Sequence, residues 1–435
     1  MSLVQSLFAM NLAGASAAVR ERRCRRRPLA AGGPRPGDLL ARFFAAALGF
    51  LLLATVAWLS YASGVLADGR WLALHLAFLG GISQLVLGGA QFFVGAFLAT
   101  GPPPLRLVWA QLACWNVGTV LVAVGVPTGS GVAAVAGSAM IVSGLVLFAV
   151  GLLGLQRRTL QRARWAVRWY YACAAFLGMG VVAGLTLALG VAWPAGSLVG
   201  AHMALNLAGW FGTAIVGTLH TFYPSLTQTR LRFGRLQGPT FAAWTVGSAV
   251  LATGLAIDLT PIMLAGWVAL GFAAVLLVTN LGASVRAAPR PLSLSALLIT
   301  VAQGFLVAGI VVGIVDALGA GALAEPWRAT LAVLLLAGWL GLTVMASLLH
   351  LLALLARVRD LTRALPAPRP ARDRAAVTFA ALAVAVLALA RLVPIDWLTR
   401  PGAGAVALVY AVLGGHVLFL AARALRAPTR PSPLS

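Results

Sequence analysis

The chain has 435 residues, of which 61% are hydrophobic and only 9% are charged. Soluble globular domains carry about 25% charged residues, so a water-soluble fold is excluded. A disordered chain is excluded as well, because disorder needs low hydrophobicity and high charge. The net charge of +23 comes from 32 basic residues, all arginine. They cluster in the polar connections between apolar segments, which argues against a nucleic-acid partner. The three cysteines have no spacing typical of disulfides or zinc sites.

Apolar segments of about 20 residues recur along the chain, and each is long enough to cross a hydrocarbon core as a helix. They are apolar all round, unlike the alternating strands of a membrane β-barrel. We therefore predict an all-α polytopic membrane protein with about twelve helices in one domain, residues 37–426. A basic N-terminal tail, 1–36, precedes this domain without a cleaved signal peptide, and a short tail, 427–435, follows it. The predicted spans are 39–64, 71–100, 104–126, 129–155, 164–192, 196–226, 236–257, 259–283, 291–318, 327–356, 375–395 and 402–424.

Arginine placement predicts the orientation of these helices in the bilayer. Most arginines lie in the N-terminal tail, the C-terminal tail and the loops 157–168, 230–235 and 357–374. Basic short loops favour the cytoplasm, so both termini are predicted to be cytoplasmic. The alanine-rich, lysine-free composition is typical of a GC-rich bacterial genome. The predicted location is therefore a bacterial plasma membrane, with the lipid bilayer as the first partner.

All five histidines fall within predicted helices, and ionisable residues inside a membrane are functional candidates. His75 and His202 lie near the predicted outer side, whereas His220, His350 and His416 lie towards the inner side. Imidazole is a good ligand for iron, copper and zinc. The alternative for each histidine is a hydrogen bond that only joins two helices.

Two of these histidines lie in the same helix, eighteen residues apart. At 100° per residue this is five whole turns, so His202 and His220 are predicted to share a face, about 27 Å apart. Transmembrane b-type cytochromes hold haem between histidines of two helices in this style. We predict His75 with His202 as an outer ligand pair. His220 with His350 forms an inner pair, and His416 is the weakest metal-ligand candidate.

Helices 2, 6 and 10 share a sequence pattern. Helix 6 reads AGWFGTAIVGTLH up to His220, and helix 10 reads AGWLGLTVMASLLH up to His350. Helix 2 reads LGGISQLVLGGAQ and carries Gln91 near the histidine position. The spacing of four helices predicts three four-helix units. The alternative is shared composition, since AGW also occurs at 265–267 without a following histidine.

The segment AHMALNLAGWFGTAIVGTLHTFYPSL, residues 201–226, resembles the haem–copper oxidase subunit I superfamily. It looks especially like the H-x-H-x-N-L-x-G…P segment of oxidase-like proteins, which include nitric-oxide-response haem–copper membrane proteins and actinobacterial copper-oxidase-like membrane proteins. The matching residues are His202, Asn206, Gly209, Gly217 and Pro224. Ala204 stands where a second histidine would be. The resemblance implies three four-helix arcs, haem b and copper as cofactors, and supporting roles near the ligands for Asn206, Tyr223 and Gln91.

The chain also departs from this family. Helix 7 lacks the adjacent histidines of a copper ligand set, and helix 10 has a single histidine. The expected function is therefore electron transfer or binding of a diatomic gas, without a complete oxygen-reducing copper site. A membrane oxidoreductase remains possible on this basis, with a membrane or periplasmic redox partner.

Two other functions stay open from the sequence. In a transporter or channel for a small solute, intramembrane polar residues would line a path, and Asp316 would couple transport to an ion. The candidates for that path are Gln84, Gln91, Gln111, Asn116, Asn206, Asn280, Gln303 and Asp316. The third possibility is a non-catalytic membrane scaffold or sensor partner.

Overall fold

The computed structural model describes residues 36–159, 164–289, 291–319, 325–359, 366–393 and 395–425. These residues form helices and connecting turns, with no β-strand among them. Twelve of the helices are long and apolar enough to cross a membrane. The prediction of an all-α polytopic membrane protein is confirmed. The two predicted tails lie outside the described residues, apart from Pro36.

The twelve spanning helices are numbered here in chain order. They are α1 Leu39–Ala62, α2 Gly69–Phe97, α3 Leu105–Gly125, α4 Gly131–Arg157, α5 Val167–Ala188, α6 Leu198–Leu226, α7 Gly234–Ile257, α8 Thr260–Ala287, α9 Leu294–Gly319, α10 Trp327–Arg357, α11 Pro370–Leu392 and α12 Asp396–Ala424. The largest differences from the predicted spans are the starts of α11 and α12. Helix α11 begins at Pro370, because backbone N–H groups in the first turn of a helix have no intrahelical partner and proline lacks this group. Helix α12 continues through Pro401, where the prediction placed a boundary.

Helices α2, α6 and α10 each contain a π-helical segment near the predicted outer side: Leu76–Ile82, Leu205–Gly212 and Val333–Gly341. A π turn adds one residue to the α-helical repeat and leaves backbone carbonyls without their usual partner. In each segment an aromatic side chain from another helix donates to one such carbonyl. Trp115 Nε1 donates to Leu79 O at 3.0 Å, Trp244 Nε1 donates to Ala208 O at 3.0 Å, and Tyr410 Oη donates to Ala337 O.

The residue after each capped carbonyl is a glycine that faces a phenylalanine of the preceding helix. Residue numbers rise by 129 from Gly80 to Gly209, and by 129 again to Gly338. An added Cβ at any of the three would lie within 2.8 Å of the phenylalanine Cβ. The pairs are Gly80–Phe50, Gly209–Phe176 and Gly338–Phe305. Equivalent contacts therefore join α1 to α2, α5 to α6 and α9 to α10.

The same 129-residue spacing relates the next two helices of the first and second units. An added Cβ at Gly118 would lie 2.9 Å from Gly137 O, and at Gly247 it would lie 3.1 Å from Gly266 O. These glycines let α3 pack closely on α4, and α7 on α8. The predicted four-helix repeat is thus present in the packing of α1–α8 and continues in α9 and α10. Helices α11 and α12 lack the glycine pair.

Candidate functional site

The structure brings His75 of α2 and His202 of α6 together near the predicted outer side. Their ring centroids lie 6.4 Å apart, and the ring planes are within 22° of parallel. Both residues are partly accessible rather than fully buried. His75 ends the α-helical part of α2, directly before the π-helical segment, and His202 lies three residues before the π-helical segment of α6.

Backbone carbonyls hold both rings through the same nitrogen. His75 Nδ1 lies 2.9 Å from Trp71 O, and His202 Nδ1 lies 2.9 Å from Gly180 O. A carbonyl only accepts, so each Nδ1 is the protonated, donating nitrogen. Each Nε2 therefore keeps its lone pair. This tautomer is the one that metal-ligating histidines adopt when a carbonyl orients the ring.

The surroundings of the two rings fix their positions. The Trp71 indole stacks on His75, with ring centroids 3.8 Å apart. On α5, an added Cβ at Gly184 would lie 2.9 Å from His202 Cε1. Asn206 donates to the His202 carbonyl at 2.7 Å and packs against Gly180. Only glycine at position 184 leaves room for the imidazole in this position.

The spacing of the rings fits two ligands of one metal ion. Metal–imidazole bonds are about 2 Å long and a ring nitrogen lies about 1 Å from the ring centre, so two opposed ligand rings have centroids about 6 Å apart. The observed 6.4 Å is close to this value. Within the described part of the chain, no group of three or more His, Cys, Asp or Glu side chains could hold a metal ion. A metal held by this pair would take its other ligands from outside these side chains, as the iron of a haem does, or would be a two-coordinate copper ion.

The structure places His220 and His350 against different aromatic neighbours. The His220 ring stacks near Trp169 with centroids 5.7 Å apart, whereas His350 contacts Phe222 edge-on at 5.6 Å. His220 is 1% exposed and donates through Nδ1 to Val216 O at 2.8 Å. Its Nε2 is buried with no hydrogen-bond partner among the described residues. The rings of His220 and His350 thus each lie against another aromatic ring, and they are not paired as those of His75 and His202 are.

Two features of α6 and α10 explain this arrangement. The predicted common face of His202 and His220 assumed α-helical geometry throughout, but the π-helical segment Leu205–Gly212 lies between them. One extra residue in a turn shifts the helical phase by about 100°. The position in α10 equivalent to His220 is Leu349, so His350 lies one residue further on.

The remaining predicted residues lie apart from the histidine pair. His416 is exposed on α12 and contacts Phe419 edge-on at 6.5 Å. Tyr223 bonds to Thr300 of α9 at 2.6 Å. Gln91 takes the position in α2 equivalent to His220 and donates to Gln111 of α3 at 3.1 Å.

The polar residues considered for a transport path are used in separate local contacts. Gln84 donates to Asn116 at 3.2 Å, Gln303 donates to the Ile299 carbonyl, and Asn280 bonds to the backbone of Phe233. None of the eight residues of the predicted path lines either of the two main cavities found among the described residues. These contacts lie within a helix or between adjacent segments and do not form one continuous polar surface.

Sequence reasoning missed three parts of the site: Trp71, Gly180 and Gly184. For Trp71 a signal was present, because its position four residues before His75 places it on the same helical face. The glycines of α5 carry no chemical signal of their own.

Comparison with protein-family models and with curated proteins gives no match to this chain.

Proposed function

We propose that the chain is an electron-transfer protein of the membrane, with haem–copper oxidase-like architecture, that binds haem b between His75 and His202. The observation that carries the proposal is the pair of neighbouring, nearly parallel imidazoles from two helices, each bonded through Nδ1 to a backbone carbonyl. Haem iron accepts two axial histidines of this kind, and burial with hydrogen bonding tunes its potential. The resemblance of residues 201–226 to the haem–copper family supports the same cofactor.

The protein's own residues have defined roles in this proposal. His75 and His202 would hold the haem iron through their Nε2 atoms. The carbonyls of Trp71 and Gly180 fix the tautomer and increase the basicity of each ligand. The Trp71 indole covers one face of His75 and limits its rotation, and Gly184 provides the space for His202. Haem supplies one-electron chemistry when bound.

Iron held by both histidines would have no position left for oxygen or another gas, which favours electron transfer over oxygen reduction or gas binding. The absence of histidine from α7 agrees with this choice. We place the protein in a bacterial plasma membrane with cytoplasmic termini. The outer position of the pair then favours a redox partner on the periplasmic side or in the membrane.

The test is a reduced-minus-oxidised visible spectrum of the detergent-purified protein, with haem and metal content measured on the same sample. We expect a b-type haem signal with about one haem per chain. His202→Ala and His75→Ala should each lose it, while His416→Ala, a histidine on the exposed face of α12, should keep it. All four proteins should elute alike on gel filtration, which separates ligand loss from unfolding.

Copper is the alternative metal for the same two nitrogens, since imidazole also suits copper. A colourless protein that contains copper, and loses it in His75→Ala and His202→Ala, would replace haem with copper in the proposal. Retention of full haem in both alanine variants would refute the site. A protein without haem or metal, made with ample supply of both, would refute the function.

A further inference from the structure

Two arginine–tryptophan contacts lie at the end of the bundle that carries most of the arginines. The Arg42 guanidinium of α1 lies over the Trp109 ring of α3, with Cζ 4.9 Å from the ring centroid. The Arg168 guanidinium of α5 lies over the ring of Trp165, in the first turn of the same helix, at 5.1 Å. Both distances are within the range of a cation–π interaction, so an indole fixes the position of each guanidinium.

The internal repeat relates these two places. Arg42 and Arg168 each lie eight residues before the phenylalanine that faces a glycine of a π-helical segment. A second arginine follows the repeat as well, because Arg106 at the start of α3 and Arg235 at the start of α7 are 129 residues apart. In the third unit the residue eight positions before the phenylalanine is Leu297. The same pair of arginines therefore occurs in the first and second units.

In the first unit the two arginines flank a groove between α1 and α3. Arg106 precedes Trp109 by three residues, so both side chains lie on one face of α3. Arg42 reaches the same indole from α1. Neither arginine has an ion pair among the described residues. The groove thus has two positive charges beside one indole.

The second unit forms the equivalent groove, between α5 and α7, with a tryptophan from the other helix. Gly238 of α7 stands at the position equivalent to Trp109. The Trp165 ring takes that space, with Cζ2 3.4 Å from an added Cβ at Gly238. Arg235 precedes Gly238 by three residues, and Arg168 lies over the indole. Two arginines therefore lie beside an indole in both units, although the indole comes from different helices.

An exposed apolar stripe continues from each pair of arginines towards the middle of the bundle. On α3 the side chains of Trp109, Val117 and Val120 are exposed. On α7 the residue equivalent to Val117 is Val246, and it is exposed as well. A ligand with an anionic head and apolar chains matches a basic groove that leads into an apolar stripe. A free inorganic anion would leave the stripe unused.

The guanidinium groups select the kind of anion. A guanidinium that stacks on an indole keeps the N–H groups at its edge, and these donate in parallel to the oxygens of a phosphate. Basic pockets between transmembrane helices bind phospholipid head groups in this way.

We propose that the α1–α3 groove and the α5–α7 groove each bind an anionic phospholipid. The phosphate lies between the two arginines, and the acyl chains follow the exposed stripe. The two sites differ in strength. Four residues before Arg42 the sequence has Asp38, whereas four residues before Arg168 it has Arg164. The α5–α7 groove therefore binds the lipid more tightly. The proposal uses no part of the histidine pair and is independent of the haem site.

The measurement is native mass spectrometry of the full chain in a neutral detergent, titrated with dioleoyl phosphatidylglycerol. Wild-type protein should bind two lipids with two saturable affinities. Each arginine beside an anionic head group changes the affinity about five-fold, so a double substitution should weaken one site about 25-fold. Arg168→Gln with Arg235→Gln should weaken the tighter site. Arg42→Gln with Arg106→Gln should weaken the other.

The matched control is Arg286→Gln with Arg372→Gln. It removes two exposed arginines at the same end of the bundle, neither of which lies over an aromatic ring of the described residues. Both affinities should then stay within about two-fold of wild type. Trp109→Leu keeps the charges and removes the indole, and it should weaken the α1–α3 site about two-fold to five-fold.

Three results would overturn the proposal. The first is equal loss of lipid in the control and in the two groove variants, which would show attraction to the general charge of this end. The second is binding of dioleoyl phosphatidylcholine, which has the phosphate but no net charge, as tightly as phosphatidylglycerol. The third is displacement of the bound lipid by millimolar inorganic phosphate, which would assign the grooves to a free anion.

Discussion

Replacing Trp244 with phenylalanine tests whether the π-helical segments depend on their aromatic partners. Trp244 is 1% exposed, and its Nε1 donates to Ala208 O in the middle of the α6 segment. Phenylalanine keeps most of the ring and removes the donor. The Ala208 carbonyl then loses the indole donor and keeps the Thr213 backbone N–H and, at 3.4 Å, the Thr213 hydroxyl. We expect Trp244→Phe to destabilise the protein.

The magnitude follows from two terms. The lost hydrogen bond contributes the first term, because hydrogen bonds measured in a membrane protein average about 0.6 and reach about 1.7 kcal/mol. The smaller ring leaves a space of roughly 40 Å³, which costs about 1 kcal/mol at 24 cal/mol per Å³. The sum is about 2 kcal/mol.

Trp339 is the matched control. It is 3% exposed, its ring lies 5.8 Å from that of Trp244, and its Nε1 has no partner among the described residues. Trp339→Phe loses the same volume but also removes a buried unsatisfied donor. Its free energy of unfolding should stay within about 1 kcal/mol of wild type. Unfolding by SDS titration in mixed micelles compares the two, and equal destabilisation by both variants would refute the reasoning.

Five further substitutions, two of which serve as controls, test close packing at glycines and one hydrogen bond. Gly184→Ala should lower the haem content, because the added Cβ would lie 2.9 Å from His202 Cε1. The control Gly154→Ala, whose added Cβ has no atom within 4 Å, should retain haem. Equal haem content in the two purified proteins would contradict the site. Gly266→Ala would place a Cβ 2.7 Å from Leu251 Cα and should destabilise by about 1–3 kcal/mol in SDS titration. Gly282→Ala has open space and should be neutral, or stabilising by up to about 1 kcal/mol. Tyr410→Phe frees the Ala337 carbonyl and should cost about 0.6–1.7 kcal/mol; no loss would show that another group satisfies it.

Hydrophobic segment length was enough to predict the fold class and the twelve helices. The physical reason is that a membrane span must be long and apolar, and the sequence shows both properties directly. The repeat was also visible, because the glycines at 80, 209 and 338 occupy the same place in three helices. Helix ends at α11 and α12 were less well predicted, because prolines are tolerated near helix starts.

The arrangement of the site was only partly predictable. His75 and His202 were paired from their depth alone, and the structure places them together. The predicted relation of His202 to His220 depended on regular α-helical phase, and a π turn has no residue code that sequence reasoning can use. For His350, the offset of one residue from Leu349 changes the face by about 100°. A pattern match that ignores one residue cannot detect this change.

The repeat shows how one junction between helices differs from the next. In α6 the residue equivalent to His75 is Ala204, and in α10 the residue equivalent to His202 is Leu331. Ala204 and Leu331 line a cavity of about 80 Å³ among the described residues. Gly200, the residue equivalent to Trp71, lines the same cavity. The contact between α6 and α10 therefore takes the same place in the repeat as the contact between α2 and α6. Its equivalent positions carry neither the indole of Trp71 nor the imidazoles of His75 and His202. The repeat gives both contacts a π-helical segment, and only the contact between α2 and α6 places polar rings beside it. The proposed site therefore depends on residues that differ between the repeats. For this reason the histidine pair, and not the shared architecture, carries the proposed function.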